Sequence, residues 1–215
     1  AEVFEWISGE AASSNRTDLT VLEANFGGGT GFELPGGEVL FGIGAQYRDG
    51  TFESENAPDS NLATTPCPLT PVNGDTSCSN PSGALAFLGT NADSYSEGDV
   101  YALFTELQFP FTNDLNVQLA ARFEDYGGST GSTFDPKLSA RWQATDNIGF
   151  RGSVGTTFRG PSSVLLSERN LTSLQFILGS FRPVDVSGNP NLQPETAVNY
   201  SAGVLFEGGG FKGSL

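Results

Sequence analysis

The stretch that decides the fold is DLNVQLAARFEDY, residues 114–126, in which apolar and polar side chains alternate. A β-strand places successive side chains on opposite faces, so this segment has one apolar and one polar face. The same period recurs in five further segments, at 37–48, 100–109, 134–144, 148–160 and 196–206, and less clearly in a seventh at 17–26. The last residues, 211–215, begin another alternation. The sequence therefore predicts an all-β, antiparallel fold of about seven or eight strands.

The links between these strands alternate in length. Short links lie near 110–114, 144–147 and 207–210, whereas 49–97 and 160–194 are long, polar and rich in Pro, Ser, Asn and Gly. Outer-membrane barrels have short periplasmic turns and longer extracellular loops. This asymmetry favours part of an antiparallel transmembrane β-barrel, with 49–97 and 160–194 as extracellular loops.

The placement of charge supports the same interpretation. Arg or Lys facing lipid near the bilayer midplane costs about 2–4 kcal/mol. The basic residues that fall on the polar faces of their strands are Arg48, Arg122, Lys137, Arg141, Arg151 and Arg159. We expect them to face the barrel lumen, where three acids on the same side, Glu106, Glu124 and Asp135, can pair with them across strands. Five aromatic residues near strand ends on the apolar face are expected to form an interfacial girdle. They are Tyr47, Phe109, Trp142, Phe158 and Tyr200.

Composition excludes several functions. The net charge of −15 argues against nucleic acid as a partner, because a phosphate backbone selects for Lys and Arg. The chain has no His, which excludes the usual Ser-His-Asp and Cys-His arrangements and argues against structural zinc. We therefore predict no enzyme, no catalytic or metal site and no cofactor. The two cysteines, Cys67 and Cys78, are expected to form a local disulfide in an oxidising compartment.

Two stretches carry a family resemblance. GTTFRGPS at 155–162 and GNPNLQPETAVNYSAG at 188–203 resemble successive segments of TonB-dependent receptor barrels. Pro161 cannot donate to a strand ladder and is expected to end its strand. Glu195 is expected either to accept from loop backbone N–H groups or to pair with Arg159. Gly160 stands where a larger small residue is more usual. The residues that carry the motif, which we expect to shape the barrel rim, are Phe158, Arg159, Pro161, Asn189, Pro190, Leu192, Pro194 and Glu195.

The resemblance implies a plan and a function. Such receptors have a barrel of about 22 strands, filled by an N-terminal plug that engages the TonB complex, in the bacterial outer membrane. They import a scarce solute such as a siderophore, cobalamin, haem or carbohydrate. The absence of Met and the final interrupted alternation suggest that residues 1–215 are a fragment of the barrel without its plug. The partners implied are outer-membrane lipid, the plug, the TonB complex and a small-molecule or oligosaccharide cargo. Loop aromatics that are candidates for cargo contact are Phe87, Tyr95, Phe176 and Phe181.

Two other interpretations fit the alternation. A secreted, soluble β-sandwich that binds or adheres through its loops also has alternating strands, but it buries the oily face inside the protein. A passive porin exposes that face to lipid and lacks a plug. The environment of the oily face separates the first alternative from a membrane barrel.

Overall fold

A computed structural model describes residues 8–79, 81–85, 91–167, 170–208 and 211–214. These ranges contain ten strands, of which eight form one sheet in the order β1-β2-β3-β4-β5-β6-β9-β10, while β7 and β8 pair separately. The pairs β3–β4, β4–β5, β5–β6, β6–β9 and β9–β10 are antiparallel. The bounds are β1 Ser13–Leu34, β2 Gly37–Asn56, β3 Ser94–Pro110, β4 Leu115–Asp125, β5 Ser132–Gln143, β6 Ile148–Arg159, β7 Asn170–Ile177, β8 Ser180–Ser187, β9 Glu195–Gly208 and β10 Phe211–Ser214.

Among the residues that the structure describes, helices are confined to single turns. A 3-10 turn covers Pro58–Ser60, α1 covers Thr70–Asn73 and α2 covers Ser163–Leu166. Within the described part of the chain, no helix is long and apolar enough to cross a membrane.

The chain divides into two compact units. The sheet unit comprises Thr20–Asp49, Asp99–Pro161 and Gln193–Leu215, and it contains β4, β5, β6, β9 and β10 entire. The loop unit comprises Ala1–Leu19, Gly50–Gly98 and Ser162–Leu192, and it contains the three helical turns and the β7–β8 hairpin.

The sheet has one apolar and one polar face, as the alternation predicts. Leu119 of β4 lies opposite Leu107 of β3 and Leu138 of β5. The apolar face is open, since Phe134 is 64% and Tyr200 is 86% exposed. In the described ranges the buried apolar side chains are Val39, Phe52, Cys67 and Ala102. These are too few for the core of a soluble β-sandwich, and so large an exposed apolar surface is typical of a membrane or interaction face.

The short turn between β1 and β2 packs closely against the link between β3 and β4. The β1–β2 turn consists of Pro35 and Gly36, and the Gly36 amide donates to the Pro110 carbonyl at 3.1 Å. A Cβ atom at Gly36 would lie 2.3 Å from the Thr112 carbonyl oxygen and 2.7 Å from that of Pro110. Glycine is therefore needed where this turn meets the β3–β4 link.

The two long loops differ from their predicted form. The segment predicted as the loop 49–97 is shorter, because β2 continues to Asn56 and β3 begins at Ser94. The segment 160–194 is not an irregular loop, since it contains α2 and the β7–β8 hairpin. The hairpin turns at Leu178 and Gly179, both with positive φ. In the extension of β2, Phe52 and Ser54 are buried and alternate with the exposed Glu53 and Glu55, but its polar composition had favoured a loop.

Candidate functional site

A buried carboxylate organises the polar face of the sheet unit. Glu124, near the end of β4, is only 1% exposed. It accepts from Arg48 at 2.5 Å, from the Arg122 Nε at 2.6 Å and from the Tyr126 hydroxyl at 2.6 Å. Arg122 also forms an ion pair with it through Nη2 at 2.5 Å. Two guanidinium groups and a phenol thus satisfy one buried acid, as burial of a charge requires.

Small and flat side chains make this arrangement possible. Arg48 lies on β2 and Glu124 on β4, so Arg48 must cross β3 to reach it. The residue opposite Glu124 on β3 is Ala102, whose methyl side chain leaves that path open. Two residues along β3, the Phe104 ring lies 5.2 Å from the Arg122 guanidinium carbon. Such a cation–π contact further fixes the orientation of Arg122.

Polar contacts continue from this cluster towards β1. The Arg122 guanidinium donates to the Gln46 side chain at 3.1 Å, and Gln46 in turn donates to Glu23. Glu23 also accepts from Asn25 at 2.7 Å. The sequence predicted that Arg48, Arg122 and Glu124 share a face. It did not predict that Glu124 joins both arginines, or that Gln46 extends the network.

The family motif lies at the end of β6. Arg159 is the last residue of that strand and pairs in register with Glu195, the first residue of β9. They form no ion pair in the described structure, so the predicted Arg159–Glu195 bridge is not present. The strand ends two residues before Pro161, as predicted. Phe158 contacts the Tyr126 ring edge to face at 6.1 Å between centroids.

Tyr126 joins the motif to the buried carboxylate. Its hydroxyl donates to Glu124, while its ring lies against Gly160. A Cβ atom at Gly160 would lie 2.5 Å from the Tyr126 Cε1. The glycine that departs from the usual family pattern therefore makes room for this ring, and neither residue was singled out from the sequence as part of a site.

We predict that Gly160→Ala displaces the Tyr126 ring and weakens its hydrogen bond to Glu124. A lost hydrogen bond to a charged group together with local repacking costs about 1.5–3 kcal/mol. Urea unfolding of the full-length protein in lipid vesicles measures this loss. Gly98→Ala is the matched control, because a Cβ atom there meets nothing within 4 Å. Equal unfolding curves for the two variants would contradict the proposed role of Gly160.

The remaining predicted charges lie further along the polar face. Lys137 and Arg141 are on β5 and Arg151 is on β6, where Arg141 and Arg151 stand directly opposite one another. A row of neutral polar groups crosses the sheet between the level of Lys137 and that of Arg141 and Arg151. Ser139 donates to the Gln118 side chain at 3.0 Å, and the Ser153 and Ser201 hydroxyls are 2.8 Å apart.

In the loop unit, Asp93 ties the two ends of the segment 57–93 together. Its carboxylate accepts from the Asn56 amide at 2.8 Å, from the Asn56 side chain at 3.2 Å and from the Asn61 side chain at 2.8 Å. Partial burial raises the pKa of Asp93, but these hydrogen bonds outweigh it and leave the pKa below its usual value. The ionised carboxylate is the form that this structure stabilises.

We predict that protonation of Asp93 at low pH weakens its hydrogen bonds to Asn56 and Asn61. Because the folded pKa is lowered, the stabilisation is complete above the unfolded pKa of about 3.9 and disappears as the pH falls through the lower folded value. Hydrogen exchange at the Asn56 amide, corrected for its intrinsic pH dependence, should show protection at pH 7 that is lost in acid. Asp93→Asn should exchange faster at pH 7 and lack the acid step. Unchanged protection in acid would refute this.

The segment 57–93 also contains the cysteine pair. Cys67 and Cys78 are joined by a disulfide with a Cα–Cα distance of 5.8 Å. The loop that it closes is held further by the Thr70 hydroxyl, which accepts from the Cys67 amide at 3.0 Å and donates to the Asp75 carbonyl at 2.7 Å. Among the described residues no group of acids, cysteines or histidines is arranged to hold a metal ion.

The other motif residues stabilise the return from the hairpin to β9. The Asn189 amide donates to the Leu165 carbonyl at 2.8 Å, and its side chain accepts from the Asn191 amide at 2.9 Å. The Leu192 amide donates to the Asn189 carbonyl at 3.3 Å, which closes a turn that includes Pro190. Pro194 immediately precedes β9. These contacts stabilise the local turn; that the motif residues shape the barrel rim stays a prediction.

The candidate contact aromatics are exposed. Phe176 and Phe181 face one another across the hairpin at 5.3 Å between ring centroids, in an edge-to-face arrangement. Tyr95 is also exposed, and its hydroxyl donates to Glu97 at 2.9 Å. Phe87 lies outside the described residues. The sequence placed these aromatics in loops, but Phe176 and Phe181 lie on the β7–β8 hairpin and Tyr95 lies at the start of β3.

Comparison with known proteins decides the family. Residues 3–215 match the family described as "TonB dependent receptor-like, beta-barrel". The chain belongs to the TonB-dependent receptor family. Proteins of this family are outer-membrane β-barrels that act as receptors and not as enzymes. Residues 3–215 are therefore part of a β-barrel, and the β-sandwich alternative is wrong.

Individual receptors show the same relationship. The chain is 28% identical over 120 residues to the probable TonB-dependent siderophore receptor PirA of Acinetobacter baumannii. The aligned region covers 53% of this chain and 15% of PirA. The PirA crystal structure matches with a TM-score of 0.61 at 20% identity, over 92% of this chain and 25% of PirA. A variant of the ferric enterobactin receptor PfeA of Pseudomonas aeruginosa matches with a TM-score of 0.63 at 17% identity, over 94% and 26%. The chain thus spans about a quarter of the solved receptors that it resembles.

Proposed function

We propose that the parent receptor, the full polypeptide in which residues 1–215 occur, imports a ferric siderophore across the outer membrane with energy supplied through TonB. The observation that carries this proposal is the family match over residues 3–215 together with the similarity to PirA. In this proposal residues 1–215 form part of the barrel wall. The plug and the TonB-binding segment lie elsewhere in the parent receptor.

The two faces of the sheet support this placement. The apolar face, with its exposed leucine, valine and aromatic side chains, contacts outer-membrane lipid. The Trp142–Phe150 pair, near the ends of β5 and β6 that meet at the link 144–147, belongs to the interfacial girdle. The Tyr47–Tyr101 pair lies midway along β2 and β3. The polar face, with the Glu124 cluster and the arginines, lines the plugged lumen. Charged groups there are hydrogen-bonded or hydrated, whereas lipid offers neither.

A siderophore is favoured over cobalamin, haem or a carbohydrate by the named relatives. PirA is described as a siderophore receptor, and a PfeA variant has been crystallised with enterobactin. We propose that 57–93 and the β7–β8 hairpin are extracellular and supply part of the cargo contact. Phe176 and Phe181 present a large exposed aromatic surface for this purpose.

Uptake of labelled iron by cells tests the function. A strain lacking the parent gene and its complemented counterpart are given ⁵⁵Fe bound to purified catecholate, hydroxamate or mixed siderophores, in cells depleted of other receptors. The proposal expects uptake of at least one chelate to be lost on deletion and restored by complementation. Restored uptake should also disappear with a protonophore or in a strain without TonB. Uptake that persists without energy would indicate a passive porin, and a defect confined to cobalamin, haem or a carbohydrate would refute the siderophore assignment.

A further inference from the structure

The backbone pairing between β5 and β6 stops before either strand ends. Its last pair on the side of the long connections is Lys137 with Gly155. Beyond that pair, in the described structure, residues 132–136 of β5 stay paired with β4 alone, and residues 156–159 of β6 stay paired with β9 alone. We call the unpaired stretch between 132–136 and 156–159 the split.

The sequence favours a break at this point. Pro136 has no N–H group to donate to a neighbouring strand, and proline is rarely found in the interior of a sheet. At the last pair the two backbones lie close together, since a Cβ atom at Gly155 would be 2.8 Å from the Pro136 carbonyl oxygen and 3.0 Å from the Lys137 Cα. Gly155 permits this close approach, and the strands separate from the next residue onwards.

Polar groups on both borders of the split lack partners within the protein. Thr133 is only 8% exposed, yet its hydroxyl has no hydrogen-bond partner among the residues that the structure describes. The same holds for the Thr156 hydroxyl and for one carboxylate oxygen of Asp135. A buried polar group without a partner is costly, and the cost is relieved when water reaches it. Opening the split is therefore easier than opening the paired section of the same two strands.

Tyr126 bridges the split from the far side of β5. It directly follows β4, and its ring reaches past β5 to pack on Gly160 and, edge to face, against Phe158. Its hydroxyl donates to Glu124, which two arginines hold in turn. A side chain thus fastens the end of β6 to β4, where backbone pairing with β5 is missing.

We propose that Tyr126 is a latch: its hydrogen bond to Glu124 keeps the split closed, and release of that bond lets the end of β6 move away from β5. The inference goes beyond the proposed cargo, because it concerns how the barrel wall holds the connection 160–194. Arg159 at the end of β6 and Glu195 at the start of β9 are register partners, so this connection leaves and returns on the strand pair that borders the split. Tyr126 is therefore a positioning residue for both ends of the connection that carries the β7–β8 hairpin.

Thiol labelling of the full-length receptor in outer membranes tests the latch. Thr156→Cys places a thiol at the border of the split, a water-soluble maleimide labels it, and peptide mass spectrometry gives the rate. Cys67 and Cys78 are joined to one another and do not react. Tyr126→Phe removes only the hydroxyl and should raise the labelling rate at least about tenfold, as expected for loss of a hydrogen bond to a charged group. Tyr47→Phe removes a phenol hydroxyl on β2 and, as the matched control, should leave the rate unchanged.

A second cysteine separates local opening from loosening of the whole sheet. Ser153→Cys lies in the paired section of β6, so its labelling should not change in the Tyr126→Phe receptor. A parallel rise at both cysteines would overturn the proposal. So would equal labelling of Thr156→Cys in the Tyr126→Phe and Tyr47→Phe receptors.

Hydrogen exchange tests the split in the wild-type receptor, without any substitution. Amides of residues 156–159 should exchange at least about tenfold faster than those of 149–152, because one side of that stretch has no neighbouring strand to bond with. Equal protection along β6 would mean that the two strands do not part there, and the latch would have nothing to close.

Iron uptake tests the positioning role, and this readout alone rests on the proposed function. Tyr126→Phe should raise the half-saturating concentration of the ferric chelate severalfold and leave the maximal rate per receptor unchanged, because the cargo contacts are displaced while transport is intact. Faster labelling with an unchanged half-saturating concentration would overturn the positioning role. Failure of iron uptake by the wild-type receptor would refute the proposed cargo while leaving the labelling and exchange results intact.

Discussion

Replacing Glu124 by Gln is expected to lower the free energy of unfolding of the parent receptor by about 3 kcal/mol, near the lower end of the range for breaking a buried ion pair. The substitution preserves size but removes the charge that Arg48 and Arg122 share. Two guanidinium groups then face each other without compensation. The loss stays near the lower end because both arginine side chains remain 31% exposed and are partly hydrated.

Urea unfolding in lipid vesicles, followed by the gel shift between folded and heat-denatured receptor, measures this change. Glu106→Gln is the matched control, because Glu106 is exposed on the same face and accepts from the neutral Gln118. Its effect should stay within about 0.5 kcal/mol, as for most exposed substitutions. If Glu106→Gln and Glu124→Gln destabilise equally, burial and the paired arginines do not set the strength of the Glu124 cluster.

The sheet was predictable from the sequence because the alternation within each strand shows which of its residues share a face. Alternation in 114–126, 134–144 and 148–160 depends only on neighbouring residues, and short links such as 144–147 pair successive strands without ambiguity. The eight-stranded sheet and the common polar face of Arg122 and Glu124 follow from these local signals. The family resemblance of 155–162 and 188–203 rested on equally local residues.

The contacts between distant strands were not predictable. Arg48 and Glu124 are 76 residues apart, and whether they meet depends on how β2 and β3 align across the segment 57–93. The sequence of that segment does not show where β2 ends and β3 begins, since both strands extend well into the predicted loop. The path across Ala102 appears only when that alignment is known.

The role of Tyr126 illustrates the same limit at shorter range. Tyr126 is the last residue of the alternating stretch, and β4 ends just before it, at Asp125. Its ring contacts Gly160, which is 34 residues away at the end of another strand, and its hydroxyl reaches back two residues to Glu124. A departure from the family pattern at Gly160 was the one signal in the sequence, and its meaning required the position of the ring.

An arginine on the apolar face should prevent the barrel from assembling stably, whereas an arginine one residue further along should not. Leu119 lies in the middle of β4 on the apolar face, 43% exposed between Leu107 and Leu138. Leu119→Arg places a charge in lipid and should cost about 2–4 kcal/mol near the bilayer midplane. We expect a marked loss of heat-modifiable receptor in the outer-membrane fraction.

Ala120→Arg is the matched control, because the same side chain then projects from the polar face. Its register partners there are Glu106 on β3 and Lys137 on β5, so the new guanidinium has a carboxylate opposite it. Assembly of this variant should remain close to that of the wild type. Because the two sites are adjacent in sequence, differences in strand propensity or expression do not explain a large difference in assembly. The reverse order of effects would mean that the apolar face is buried against protein, and the placement of lipid on that face would then be wrong.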